Sequence, residues 1–417
     1  MHDNPNNLPP DFVRGLAQPR LTRRGFLQAG GLAALTAGLA ACGVSGAKTG
    51  PTGSAATKAA KSFWQQQKKT GSFTFANWPL YIDKAHGTHP SLDLFTKQTG
   101  IDVSYKEVIN DNAAFFGKIQ PELQAGNSAG YDLMVITNGF ELDKLKELNY
   151  LIALDQDRMT NFNANASDLV KNPSFDPGNQ FTMAWQSGMT GIGYDPAKVG
   201  HKITSWQDLK DPKLKGKIGM FSDNQDLPSC ALLAVGVNPE DSTEDDWNKA
   251  ANWLKDQQPL VRKYYDQSYI DALGRGDVYA SMAWSGDIYQ ANLGGGNLEF
   301  VIPDEGAVIW TDNMCIPAHA EHALDAMIYM DYVYQPKIAA MLAEWINYIT
   351  PVDGVQAIIK QDAAKATGGD RASLNYLADS VLIFPSSDEF AKLHRYRVLT
   401  TDEENTWNDI FEPIYQA

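Results

Sequence analysis

From Phe73 onward the chain switches repeatedly between two hydrophobic periods, and this alternation limits the folds open to it more than any other feature. Phe73-Thr74-Phe75-Ala76-Asn77-Trp78 has the length and aromatic content of a short buried strand. Residues 92–98 follow helical spacing and stop at Gly100, where a helix end favours glycine. Ile101-Asp102-Val103-Ser104-Tyr105 alternates as a strand, residues 112–125 read as a helix, and Asp132-Leu133-Met134-Val135-Ile136 as another buried strand. Such repeats build a parallel sheet with helices on both faces. A second region of the same kind begins near Gln186. It has strands at 218–221, 278–284 and 300–302, and a helix after Ser229. An amphipathic helix over 242–258 carries Glu244, Asp245 and Asp246 in its first turn, which suits the positive end of the helix dipole. Helices near 323–334 and 337–346 precede Pro351. The expected fold class is α/β, in two lobes with a cleft between them. In open α/β sheets the ligand site lies at the carboxyl ends of the strands.

The first 70 residues break this pattern. Arg23 and Arg24 precede an uncharged run of Ala, Leu and Gly that ends at Cys42. At about 17 residues and rich in glycine, the run is short for a membrane-spanning helix and suits a signal sequence. Thr22-Arg23-Arg24-Gly25-Phe26-Leu27 resembles the twin-arginine export consensus. Leu39-Ala40-Ala41-Cys42-Gly43 resembles a bacterial lipobox, in which cleavage precedes a cysteine that then carries lipid; the alternative is an ordinary cleaved signal with an incidental Cys42. Residues 1–41 are therefore expected to be a signal peptide. Residues 42–70, rich in Gly, Ser, Thr, Ala and Lys, are expected to be a flexible tether from lipidated Cys42. That arrangement holds a protein at the outer face of the cell membrane or in the periplasm.

Removing residues 1–41 takes away four arginines and two aspartates and moves the formal charge from −15 to −17. An acidic balance of this size argues against nucleic acid as a partner, which usually needs a basic face. Of three cysteines, Cys230 and Cys315 remain in apolar surroundings and read as buried free thiols, too few for a disulfide scaffold.

The chain has no H-E-x-x-H, Walker A loop, C-x-x-C or G-x-S-x-G. Gly188, Gly191 and Gly193 do not have dinucleotide-loop spacing and read as a tight backbone turn. No metal, cofactor or catalysis is expected. What remains is aromatic and acidic residues placed around the ends of predicted strands: Trp78 and Tyr81, Asp223 and Asp226, Trp284 and Asp287, Trp310 and Asp312, and Tyr348. The combination suits a flexible organic cation. Aromatic faces cover methylene runs and attract the cation, about 0.5–2 kcal/mol each. Carboxylates hold ammonium groups through charge-assisted hydrogen bonds.

Taken in order, several segments resemble the spermidine/putrescine-binding proteins of bacterial ABC importers. They are Phe75-Ala76-Asn77-Trp78 with Tyr81, Phe95-Thr96-Lys97-Gln98-Thr99-Gly100-Ile101, Tyr131-Asp132-Leu133, and Gly188-Met189-Thr190-Gly191-Ile192-Gly193-Tyr194. Ser205-Trp206-Gln207-Asp208-Leu209, Ala283-Trp284-Ser285-Gly286-Asp287, Val301-Ile302-Pro303-Asp304-Glu305-Gly306 and Trp310-Thr311-Asp312-Asn313-Met314 continue it toward Pro351. The resemblance implies lobes joined by crossing strands and closing by a hinge motion. Residues 71–187 with 311–357 would form lobe one, and 188–310 with 358–417 lobe two. It implies a monomer without catalysis that captures a polyamine and passes it to a membrane permease docked across both lobes.

By position, the resemblance implies that Trp78 and Tyr81 line the cleft from lobe one. Thr137 stands at a family hydroxyl, and Gly139 or Phe140 at a nearby aromatic. Asp223 and Asp226 would bind amino groups, Trp284 and Trp310 would stack on methylenes, Asp312 would hold an ammonium, and Tyr348 would complete the wall. The family acid one residue before the first-motif tyrosine is Leu80 here, which leaves Asp83 and Glu141 as replacements. Two other readings remain open. One is a binding protein for another organic cation, an amino acid-like compound or an oligosaccharide. The other is an exported hydrolase using Asp223 and Asp226 as paired carboxylates.

Overall fold

The computed structural model describes residues 61–416 except residue 86. The export motif, Cys42 and residues 43–60 of the expected tether lie outside the described residues. Ten strands form one sheet: β1 (Ser72–Asn77), β2 (Asp102–Glu107), β3 (Leu133–Thr137), β4 (Thr182–Tyr194), β5 (Ile218–Phe221), β6 (Val261–Tyr265), β7 (Ala280–Trp284), β8 (Glu299–Val301), β9 (Ala307–Cys315) and β10 (Leu393–His394). The order is β2-β1-β3-β9-β4-β7-β5-β6, with β8 on β4 and β10 on β9. The outer pairs, β1 with β2 and β3 and β5 with β6 and β7, are parallel as the alternation predicts. The centre departs from that expectation: β9 runs antiparallel to β3 and β4, and β4 antiparallel to β7.

The two long central strands carry the chain between two hydrophobic cores. The first core gathers Phe73, Phe75, Phe95, Trp185, Met314 and Tyr329. The second gathers Trp206, Met220, Leu232, Trp247, Tyr269 and Trp407. A smaller cluster of Ala76, Ile119, Met134 and Leu142 covers the opposite face of β1 and β3. Alternation along β1 explains the division, since Phe75 and Ala76 point to opposite faces of the sheet. Helices end where their sequence stops them. The helix Pro90–Thr99 closes on Gly100 at φ 69°, whose N–H bonds Thr96 O. The helix Glu244–Gln257 opens on a Thr243/Asp246 capping box.

Several expectations are corrected. Gly188, Gly191 and Gly193 do not make a turn; all three lie inside β4, whose residues are buried throughout. Their role is close approach. A Cβ at Gly188 would lie 2.3 Å from Cζ2 of Trp310, one at Gly191 2.4 Å from Val301 O, and one at Gly193 2.6 Å from Cδ1 of Ile288. Trp310 and Asp312 do not follow a strand but sit within β9. Residues 61–70, expected in the tether, are held on the folded body. Residues 61–66 are helical, Trp64 is buried in the first core and donates to Ala153 O at 2.7 Å, and Asp325 accepts from the backbone N–H groups of Thr70, Gly71 and Ser72. Finally, Ile359, Ala363, Leu374, Leu377 and Ile383, expected with lobe two, pack in the first core. Cys230 and Cys315 are buried free thiols. Among the described residues, no helix is long and apolar enough to cross a membrane.

Candidate functional site

One end of the site is built around Asp312. Buried Asn77 at the end of β1 accepts from Trp78 N at 2.8 Å and donates to Tyr81 O at 3.3 Å, tying the connecting loop into a tight return. Trp185 Nε1 also donates to Tyr81 O, at 3.1 Å. Fixed from both sides, Tyr81 donates its hydroxyl to Asp312 Oδ2 at 2.7 Å, while Thr137 donates to Asp312 Oδ1 at 2.6 Å. Thr137 is the register partner of Asp312 across β3 and β9, so the two side chains share one face. Burial pushes the Asp312 carboxyl up to about 6, against the pull of the two hydroxyl hydrogen bonds.

The other end is built around Asp226. Asp223 Oδ1 accepts from the N–H of Gln225 at 2.8 Å and of Asp226 at 2.5 Å, which turns the chain after β5 into the helix Asp226–Ala234. Asp226 Oδ2 accepts from Trp284 Nε1 at 2.9 Å, and Oδ1 from Tyr396 OH at 2.6 Å. Burial first, and the Asp223 carboxylate second, raise Asp226 well above the usual carboxylate range. Asp223 is raised as well, by burial. Two neighbouring carboxylates pushed up together are poised to gain a cation. Tyr269 steadies the wall: its hydroxyl accepts from Trp284 N at 2.9 Å and donates to Asp287 Oδ2 at 2.8 Å.

Aromatic rings join the two ends. The helix Pro336–Ile346 stops at left-handed Asn347, and Ile349 exchanges backbone hydrogen bonds with Ser187 of β4. Tyr348 is thereby held over the sheet. Its ring lies 5.2 Å from Trp310 at 63° and 6.1 Å from Tyr81 at 87°, both edge-to-face. A Cβ at Gly286 would meet the Tyr348 ring at 2.5 Å, so the start of the helix Ser285–Leu293 touches it from the other lobe. The six-membered ring of Trp310 packs directly against Gly188.

Of the residues expected from sequence, Tyr81, Thr137, Trp310, Asp312 and Tyr348 form one contact network, and Asp223, Asp226 and Trp284 a second. Trp78 is half-buried, with Nε1 donating to Val135 O at 3.1 Å. Phe140 is buried in the second core, the cluster that also holds Trp310 and against which Trp284 and Tyr348 pack, and its N–H donates to Gln225 Oε1 at 3.1 Å. Neither proposed replacement for the family acid stands beside Asp312. Asp83 accepts from Ser91 N and Ser91 Oγ at the start of the helix Pro90–Thr99. Glu141, raised by burial to about 7, has Lys144, Glu404 and Asp111 around it. Leu80 itself sits at φ 59°, its N–H on Glu107 Oε1. Sequence reasoning missed Tyr396, Tyr269 and Gln225; Tyr396 lies 170 residues from Asp226 in a segment without motif.

A sheet passing on two strands between two cores, with acidic and aromatic side chains gathered at the crossing, is the architecture of a two-lobed solute-binding protein. The chain belongs to the bacterial extracellular solute-binding protein family, which it matches over residues 91–367. It is 28% identical over 291 residues to the spermidine/putrescine-binding periplasmic protein of Escherichia coli (strain K12), a match covering 70% of this chain and 80% of that protein. It is 30% identical over 291 residues to the putrescine-binding periplasmic protein SpuD of Pseudomonas aeruginosa (strain UCBPP-PA14), covering 65% and 76% respectively. Its fold is similar to the crystal structure of the spermidine/putrescine ABC transporter substrate-binding protein PotD of Streptococcus pneumoniae, with a TM-score of 0.69 at 22% identity over 83% of this chain and 99% of that one.

Proposed function

We propose that the protein captures an elongated polyamine in the cleft between its lobes and delivers it to a membrane permease, without chemical change to the ligand. The observation that carries this reading is the placement of two buried acidic ends on one strand face. Asp312 is the register partner of Gln186, and Trp284, whose indole bonds Asp226, is the register partner of Thr190. Four residues of β4 at 3.3 Å each separate these rows by about 13 Å. A compact cation spans one end only; a chain with an ammonium at each end reaches both. Trp310 and Tyr348 lie between, where methylene groups would run. Both named relatives are polyamine-binding proteins by their names. The roles of Trp78, Tyr81, Thr137, Phe140, Asp223, Asp226, Trp284, Trp310, Asp312 and Tyr348 in holding the ligand are part of this proposal.

The same reading makes the protein a monomer, lipidated at Cys42 after export and working outside the cytoplasmic membrane. Asp223 and Asp226 do not favour hydrolysis, because they lie three residues apart in one turn with a backbone amide of one bonded to the other. Isothermal titration of the mature protein with putrescine, spermidine and spermine tests the proposal. At least one is expected to bind with a Kd below the millimolar range, and binding of none would overturn it.

A further inference from the structure

One buried acceptor on the site face has no use in the ligand-free protein. Gln186 is 1% exposed, and its Oε1 has no hydrogen-bond partner. Buried polar groups are nearly always paired, and an unpaired one costs about 1–3 kcal/mol. The register shifts at a bulge between Ala184 and Gln186 and runs regularly from Gln186 to Thr190, which fixes where Gln186 stands. Thr137, Asp312 and Gln186 are successive partners across β3, β9 and β4, so their side chains form one row on one face. Two further facts confirm that parity. A Cβ at Gly188, two residues on, points at Trp310, and on the opposite face Ser187 Oγ pairs with Thr311 Oγ1 at 3.0 Å. Directly opposed residues have Cβ atoms about 5 Å apart, which puts the Gln186 amide within reach of whatever Asp312 holds.

We propose that Gln186 is a ligand-binding residue at the Asp312 end, its Oε1 accepting an N–H of the ammonium that pairs with Asp312. This inference rests on the polyamine reading above and adds a specificity element to it. A primary ammonium carries three N–H donors. Asp312 already accepts two protein hydroxyls, so a second acceptor beside it takes a donor that Asp312 alone leaves over. With leucine in place of the family acid at position 80, this end then holds one charged and one neutral acceptor, which suits a single ammonium group rather than two neighbouring ones.

The substitution Gln186→Met keeps the volume and removes the acceptor. Titration with putrescine and spermidine is expected to show a tenfold to hundredfold loss of affinity, the range for a hydrogen bond to a charged group. The melting temperature of the ligand-free variant is expected to stay level or rise, because an unpaired buried oxygen has gone. Gln186→Glu, which restores an acceptor, is expected to retain binding at pH 8. Wild-type affinity in Gln186→Met overturns the inference. So does a variant that unfolds, or that melts several degrees lower without ligand, because Gln186 would then be serving the fold. If the wild type binds neither amine, the polyamine reading itself fails.

Discussion

Asp312 shows how a single carboxyl takes on two opposed duties. Buried and raised to about 6 from an ordinary 3.8, it is more easily protonated in the folded chain than in the unfolded one. The stability it contributes is therefore fully present below about pH 4 and lost as the pH rises through about 6. Ligand capture has the opposite sign, because an ammonium needs the carboxylate. We expect putrescine affinity to be level above about pH 8 and to fall as the pH drops through about 7 and then about 6, where Asp226 and Asp312 in turn take up protons, read by titration across that range. Asp312→Asn is expected to weaken binding more than tenfold and to flatten that part of the profile. Unchanged affinity would remove Asp312 from the site. The sequence made Asp312, Asp226 and the tryptophans legible, because acids and aromatics around strand ends are uncommon enough to be noticed. Gln186 and Tyr396 were not legible: an amide and a phenol acquire meaning only from what lies beside them in space.

At the scale of elements, β4 organises the site. Its glycines read as a turn because glycine is usually scarce in strands. In the fold they are the gaps into which Trp310, Phe300 and Ile288 press. Gly188→Ala places a methyl where the Trp310 ring lies and is expected to cost about 1–3 kcal/mol of stability by overpacking. It should also lower polyamine affinity by displacing that ring, as measured by urea unfolding and by titration. Stability and affinity both at wild-type values would show that the ring moves without consequence. Local patterning placed β1, β2, β3, β5, β7 and β8 and the helices at 90–99, 112–124, 226–234, 244–257, 323–332 and 336–346, but not the edge strand β6 or any helix after Pro351. It missed β9 as a strand because a segment reading Trp-Thr-Asp-Asn breaks the apolar run that a buried strand ordinarily shows. Both faces of β9 are covered here, and its polar members are satisfied by Tyr81, Thr137 and Asn138.

For the whole molecule, the lobes touch through Gln225 Oε1 on Phe140 N and through Lys144 on Glu404 at 2.7 Å. The ion pair is partly exposed and contributes little by itself. The Gln225 contact is sheltered, with Gly139 pressed against the same amide. Gln225→Ala is expected to shift the ligand-free protein toward an open form, raising its radius of gyration in X-ray scattering and the Kd for putrescine severalfold. Equal scattering curves with and without ligand, in both proteins, would argue against hinge closure. The order of apolar periods determined that this chain forms α/β lobes, and the residue types at strand ends determined that its site is acidic and aromatic, since both follow from local chemistry. Only the tertiary structure decided that two antiparallel strands cross the middle of the sheet, that Trp64 and the apolar residues of 359–383 belong to the first core, and that Gln186 faces Asp312. Those are pairings between distant segments, set by which buried surfaces fit together, and no local stretch of sequence encodes its partner.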